Sequence, residues 1–404
     1  MTGAPEKETS MSDLLNTIFS EARALGGWLV DTRRALHRIP EPGNEENETS
    51  RAIRAELDEL HIPYAQIGTA VVGLLEGNQH GRCIALRADM DALPIEEPAD
   101  RPYVSLHRGY MHACGHDAHM TVALGVARLL SAHRQDFAGS VKFLFQPAEE
   151  TTGGAKPMIE AGCLENPHVD FVLGLHVAPD RPAGHVEVKP GPFYGASDNL
   201  GIVIRGKSSH AAYPEQGIDA IVVSAAVIQA LQTLVSRSIS ALDSAVITIG
   251  KIQGGMRNNI VADEVTLTGT IRTLSEDVRR FICSRVTEVC TQTAVAFGAS
   301  CEVQIHPSYP VLVNDEQATE LVRNTAIDLL GESNVHLREK PSLGVEDFAY
   351  YLRERPGTFW HLGCGRPGAS SPLHSPNFDI DEACLPVGVA VQAASTLRYL
   401  QEKP

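Results

Sequence analysis

Apolar residues recur at helical spacing over residues 14–39 and again over 46–60, on either side of the turn-forming Pro40-Glu41-Pro42-Gly43, so the periodicity predicts two surface helices packed on a sheet. Short β-branched apolar runs follow at 70–75, 83–86, 141–145 and 169–175, with a helical pattern over 118–133 among them. Strands that alternate with helices predict an α/β domain. At Pro190-Gly191-Pro192 the character changes to a linker signal, and a domain boundary is expected there. Beyond it the pattern reads strand 200–207, helix 218–236, strands 245–252 and 264–272, helix 275–297 and strand 300–306, the order of a split β-α-β unit and hence of an inserted α+β, ferredoxin-like domain. After Pro310, helices at 315–330, 346–353 and 385–400 and a strand at 358–362 are expected to rejoin the first domain. The expected division is therefore 1–190 with 308–404, and 191–307.

Length supports two domains, because 404 residues exceed what one hydrophobic core usually holds. With 43% hydrophobic and 21% charged residues the chain sits near globular averages, and no stretch reads as the roughly 20 apolar residues that span a bilayer. The polar residues 1–10 do not read as a secretory signal. The eight cysteines are scattered rather than closely spaced, which suits a reducing compartment, so a cytoplasmic location is expected. A net charge of −16, from 34 basic and 50 acidic residues, argues against nucleic acid or an anionic membrane as partner. One local arginine could still bind a substrate carboxylate.

Metal-preferring side chains collect where predicted strands end, which is where open α/β sheets place ligands. Asp89 and Asp91 follow the run at 83–86, Glu149 and Glu150 follow 141–145, and His176 follows 169–175. The segment His112-Ala-Cys114-Gly-His116-Asp117-Ala-His119 leads into a helix. A thiol, three imidazoles and a carboxylate within eight residues suit a borderline-soft divalent ion. Asp89 and Asp91 taken alone read as solvated charges. The Glu149-Glu150 pair is more pointed, since a metal hydrolase needs one carboxylate on the metal and another to take a proton from water. His210 and His374 are single histidines, and each taken singly reads as structural.

In order along the chain stand His37-Arg-Ile-Pro40-Glu41, Leu86-Arg-Ala-Asp89-Met-Asp91-Ala-Leu-Pro94, Met111-His-Ala-Cys-Gly-His-Asp117, Gln146-Pro-Ala-Glu-Glu150 and Gly174-Leu-His176-Val177. Ser209-His210-Ala211, Asn258-Asn259-Ile-Val-Ala-Asp263, Glu346-Asp347-Phe348 and Leu373-His-Ser-Pro-Asn-Phe378 continue the series. Together these motifs resemble the M20 family of metallopeptidases, in particular its hippurate hydrolases, N-acyl amino acid amidohydrolases and auxin-conjugate hydrolases. The resemblance implies a zinc-peptidase-like three-layer catalytic domain with a lid and dimerisation domain inserted. It implies that Cys114, His116, Glu150, His176 and His374 hold two divalent ions, with Cys114 near the bridging position, and that Glu149 is the general base. Zinc or manganese is the first expectation for the metal; cobalt and nickel remain compatible with the donors.

By the same resemblance Asp91 orients a ligand from behind, His210 on the lid stabilises the oxyanion, and Asn259 holds a substrate carboxylate, with Arg257 and Arg272 as helpers. The implied partners are a small-molecule amide substrate and a second copy of the chain. Two local departures, Ser208-Ser209-His210-Ala211-Ala212 where many relatives have glycine after the histidine, and Met256-Arg257-Asn258 before Asn259, concern the substrate pocket and not the ligands. Three other readings share these residues: a dipeptidase or carboxypeptidase, an aryl-amide or aryl-amine hydrolase, and a binding protein with a vestigial site.

Overall fold

A computed structural model describes residues 11–401 other than 367, 369 and 370. It divides into two compact units, one formed by Met1–Gly191, Asn314–Glu339 and Tyr350–Pro404, the other by Pro192–Val313 and Lys340–Ala349. The sequence boundary at 307 thus shifts to Val313, and the segment Lys340–Ala349, expected in the first domain, packs with the second unit.

The first unit carries an eight-stranded sheet in the order Tyr64–Ile67, Ala70–Glu76, Ser140–Gln146, Cys83–Asp89, Phe171–Pro182, Gly357–Gly365, Val186–Val188 and Val335–Leu337. Cys83–Asp89, Ser140–Gln146 and Gly357–Gly365 are buried at every position, as strands covered on both faces must be. That burial explains why they appear in sequence as continuous apolar runs, whereas the short outer strands Tyr64–Ile67 and Val335–Leu337 gave no readable signal. Helices His116–Ala132 and Cys384–Gln401 bury most of their surface beside the sheet. The single helix expected over 14–39 is two, Met11–Ala24 and Gly26–His37; the pair Gly26-Gly27 weakens helical propensity where they meet.

The second unit is a four-stranded antiparallel sheet in the order Ser300–Pro307, Ala196–Arg205, Glu264–Thr273, Ala245–Gly254, with helices Ala220–Thr233 and Glu276–Ala296. In order of sequence the strands lie 4-1-3-2, as the split β-α-β pattern predicts. Contrary to the expectation that no segment is apolar enough, Ala220–Ser238 is long and apolar enough to cross a membrane by length and composition. Val223, Val227, Leu231 and Leu234 from it fill this unit's core, which accounts for part of its hydrophobicity, while Ile221 and Val222 are exposed.

On one row of the large sheet His176, His361, Glu187 and His336 are successive cross-strand partners. The buried Glu187 carboxylate accepts hydrogen bonds from Arg181, from Arg338 at 3.0 Å and from His361 Nδ1 at 3.1 Å. Burial would raise its pKa, but the bond and charge of His361 and the two guanidinium groups bring it from 4.5 down to about 2. A depressed carboxylate stabilises the fold above its unfolded pKa and loses that contribution as pH falls through the folded one. Between pH 4.5 and about 2, Glu187→Gln should therefore show a shallower fall of Tm with acidification than the unsubstituted protein. Parallel Tm profiles would remove Glu187 as a source of acid sensitivity.

Candidate metal centre

Cys114 and His116 flank Gly115, whose φ of 85° lies in the left-handed region. A β-carbon at Gly115 would stand 2.4 Å from Val177 Cγ2, so both the backbone turn and the close approach require glycine. The turn ends one loop and starts helix His116–Ala132 with His116 as its first residue. It brings two donors two residues apart in the chain onto one point. His176 comes from the interior of strand Phe171–Pro182, not from the strand end expected after the apolar run 169–175. His374 sits at φ 61°, its backbone N–H bonded to Ala113 O at 2.9 Å.

Cys114 Sγ lies 3.4 Å from His176 Nε2 and 3.3 Å from His374 Nε2, and His374 Nε2 lies 3.0 Å from Glu150 Oε1. Two clusters result, Cys114-His116-His176 and Cys114-Glu150-His374, each with its donor atoms within 4.8 Å of one another. Cys114 belongs to both. Metal–ligand bonds of roughly 2.0 to 2.3 Å place adjacent tetrahedral donors roughly 3.3 to 3.8 Å apart, which is the spacing observed around Cys114.

Hydrogen bonds set the tautomers. His116 Nδ1 donates to Asp91 O at 2.8 Å and His176 Nδ1 donates to Val177 O at 2.8 Å. Each ring therefore turns Nε2 inward, and His116 Nε2 is buried with no hydrogen-bond partner. An orphaned buried nitrogen facing thiol and carboxylate fits a cation. Without one, burial opposes protonation of His116, yet Asp89, Asp91 and Glu150 outweigh it and lift the pKa to about 10. Burial, then Glu150 and Glu149, push the Cys114 thiol well above its ordinary value. Both shifts report the same surplus of buried negative charge, which a divalent ion would neutralise while taking the place of the protons.

The Asp91 carboxylate accepts the backbone N–H of Glu149 at 3.0 Å and of Glu150 at 2.9 Å. With its backbone carbonyl on His116 and its carboxylate on both glutamates, Asp91 fixes all three at once. His119 does not add a donor: its Nδ1 bonds Asp89 Oδ1 at 2.6 Å and its Nε2 accepts from Val177 N at 2.9 Å. His112 belongs to none of the clusters found among the described residues; its ring is buried and burial lowers its pKa to about 3. Only one of the three imidazoles in the 112–119 segment is thus available as a ligand.

Sequence reasoning missed Glu46. Its buried carboxylate accepts Ala148 N at 2.9 Å and Thr69 Oγ1 at 2.7 Å, holding Ala148 at φ 59° immediately before Glu149. Nothing in the sequence distinguishes Glu46 from a solvated residue at a helix start. Behind the cluster, Asp117 pairs with Arg33 Nε at 2.8 Å and His37 Nδ1 at 2.7 Å, and His37 Nε2 reaches Glu97 at 3.0 Å. This explains the chemical need for His37 in its motif: it joins two buried carboxylates.

His210, Asn259, Arg257 and Arg272 all belong to the second unit. There His210 and Ile260 form an isolated antiparallel bridge and Ala211 N bonds Asn259 O at 3.1 Å, which brings the His210 and Asn259 segments together. Ala212 N donates to His210 Nδ1 at 3.1 Å, so the neutral ring carries its proton on Nε2. Arg257 and Asn259 are exposed. Arg272 is half-buried, bonds Leu343 O at 3.4 Å, and has no carboxylate partner among the described residues.

An α/β unit with a cysteine-centred cluster of donors that includes one of two adjacent glutamates, joined to a 4-1-3-2 sheet, defines a class of metal-dependent hydrolase. The sequence matches peptidase family M20/M25/M40 over residues 85–398, and the chain belongs to that family. It is 42% identical over 360 residues to an N-acetyl-L-cysteine deacetylase of Bacillus subtilis, spanning 88% of this chain and 84% of the relative. It is 40% identical over 384 residues to an IAA-amino acid hydrolase of Arabidopsis thaliana, spanning 93% and 86%. A solved dinuclear metal-binding M20 peptidase of Bacillus subtilis superposes with a TM-score of 0.84 at 33% identity, covering 94% of this chain and 99% of that one.

Because Cys114 belongs to both clusters, Cys114→Ala should lower metal occupancy at both positions, read by elemental mass spectrometry after equilibration with Zn²⁺. Full occupancy at both would show that the thiol is not shared.

Proposed function

We propose that this enzyme hydrolyses the amide bond of small N-acyl amino acids or related amides, with Glu149 as general base and two divalent ions held by Cys114, His116, Glu150, His176 and His374. The observation that carries this reading is the placement of Glu149 against the two Cys114-centred clusters, its carboxylate within 4.8 Å of His116 and Glu150 donor atoms and its own N–H fixed by Asp91. The named activities of the two relatives, deacetylation of N-acetyl-L-cysteine and hydrolysis of IAA-amino acid conjugates, are both cleavages of an N-acyl amino acid. Zinc or manganese suits a donor set of thiolate, imidazole and carboxylate, and cobalt or nickel would also fit it.

Divalent ions in such a site make water acidic enough to ionise near neutral pH and polarise an amide carbonyl. Glu149, 8% exposed, takes the proton of the attacking water and passes it to the leaving nitrogen. Asp91 keeps the two glutamates and His116 in register, so no reorganisation is needed during the reaction. His210, with its proton on Nε2, donates to the developing oxyanion. Asn259, aided by Arg257 and Arg272, takes the amino-acid carboxylate; that Arg272 has no acidic partner among the described residues supports this. The second unit serves as lid and as homodimer interface, supported by the exposed apolar side chains of Ile221, Val222, Ile252 and Met256. Cysteines that are all unpaired favour the cytoplasm.

Amine release from N-acetyl amino acids, hippurate, dipeptides and aryl amides should vanish on chelation and return with Zn²⁺ or Mn²⁺. Glu149→Gln should lose roughly a hundredfold to ten-thousandfold in kcat with metal content unchanged, and near-normal turnover would refute the assignment. A preference for dipeptides or for substrates without a carboxylate would overturn the proposed substrate class. His210→Ala should cost roughly a hundredfold or more in kcat without altering metal content; an unchanged kcat would remove it from the mechanism. Sedimentation equilibrium should give a dimer, and a monomer at micromolar concentration would exclude the interface.

A further inference from the structure

Lys142 is the one buried lysine among the described residues, 3% exposed in the middle of strand Ser140–Gln146. Its ammonium donates to two backbone carbonyls, Cys163 O at 3.1 Å and Glu165 O at 2.6 Å. That leaves the third N–H without a partner, and no carboxylate lies within ion-pair distance of it among the described residues. Glu165, whose backbone carbonyl the ammonium bonds, directs its side chain to Arg355 at 2.5 Å and His168 at 3.1 Å. Burial lowers the pKa of the Lys142 amine, as expected for a cation compensated only by carbonyl dipoles.

Lys142 also lines a cavity of about 420 Å³, together with Cys163 and Glu165, whose carbonyls its ammonium bonds. Its walls come from the edge strand Tyr64–Ile67, the neighbouring strand Ala70–Glu76 and the loop around 161–166. Pro63, Ile67, Val72 and Leu74 give the lining an apolar body. The volume falls within the range of small-molecule sites, which pair a mostly apolar wall with a few placed polar groups. None of the proposed metal ligands lines it.

We infer that this cavity is a second binding site, separate from the metal centre, for a small carboxylate anion with an apolar body, its carboxylate meeting the ammonium of Lys142. A single fixed cation matches a single negative charge. A phosphate would need more donors than one ammonium supplies, and a dianion would leave one charge unanswered. A neutral apolar molecule would leave the charge unanswered, whereas a carboxylate supplies the charge-assisted hydrogen bond that the carbonyls cannot.

The inference stands apart from the proposed activity and is tested without it. 4-Fluorobenzoate and hexanoate are titrated into the chelator-stripped, full-length protein, followed by ¹⁹F NMR and calorimetry, with inorganic phosphate and hexanol as comparisons. One saturable site is expected for the carboxylates, with Lys142→Met weakening it by about tenfold or more. Val72→Trp, which fills the cavity and leaves the lysine in place, should abolish it; this variant carries the test if Lys142→Met does not fold. Hexanol should bind about tenfold more weakly than hexanoate. No saturable binding below about 20 mM, equal affinity in the folded variants, or displacement by phosphate would overturn the proposal.

Discussion

Asp89, Asp91, Glu149 and Glu150 converge with the thiol of Cys114 in the first unit, and all but Glu150 are buried. Like charges held that closely out of water repel strongly unless a cation lies among them. The perturbed protonation of His116 and Cys114 expresses that constraint, and the remaining architecture follows from it. Strand ends deliver the carboxylates, the left-handed turn at Gly115 brings thiol and imidazole to the same point, and Asp91 ties both glutamates to His116.

Such a cluster needs a rigid support, and the ionic brace behind it supplies one. Arg33 and His37, one turn apart on helix Gly26–His37, both engage Asp117, the residue after His116. A buried guanidinium is tolerable only where its charge is answered, so the brace couples the placement of that helix to the start of His116–Ala132. Glu46 does the same for the opposite side of the site, fixing Ala148 in a conformation that non-glycine residues rarely adopt. In the second unit, the pairing of residues 209–211 with 259–261 gathers the residues suited to a substrate's polar groups into one local structure.

The interior strands and the 4-1-3-2 unit were legible because their apolar periodicities are local properties of the chain. Short outer strands such as Val186–Val188 and Val335–Leu337 were not, since three residues carry no period. The interruption at Leu25, beside the weak helix formers Gly26-Gly27, and the reassignment of Lys340–Ala349, which packing decided, also differ from the pattern of apolar positions.

By itself the sequence determined which donors are present: a thiol and an imidazole two residues apart across a glycine, two adjacent glutamates and distant histidines, a chemistry that follows from residue type. It could not determine which imidazoles are available. Tertiary structure decided that His119 spends both nitrogens on Asp89 and Val177, that His112 lies outside the clusters, and that His374 joins Glu150 and Cys114 across 260 residues. It also decided that Lys142 is a buried cation beside a cavity rather than a surface charge. A ligand's competence depends on where its lone pair points and on what else competes for it. Those are properties of partners far apart in the chain, which the tertiary fold alone brings together.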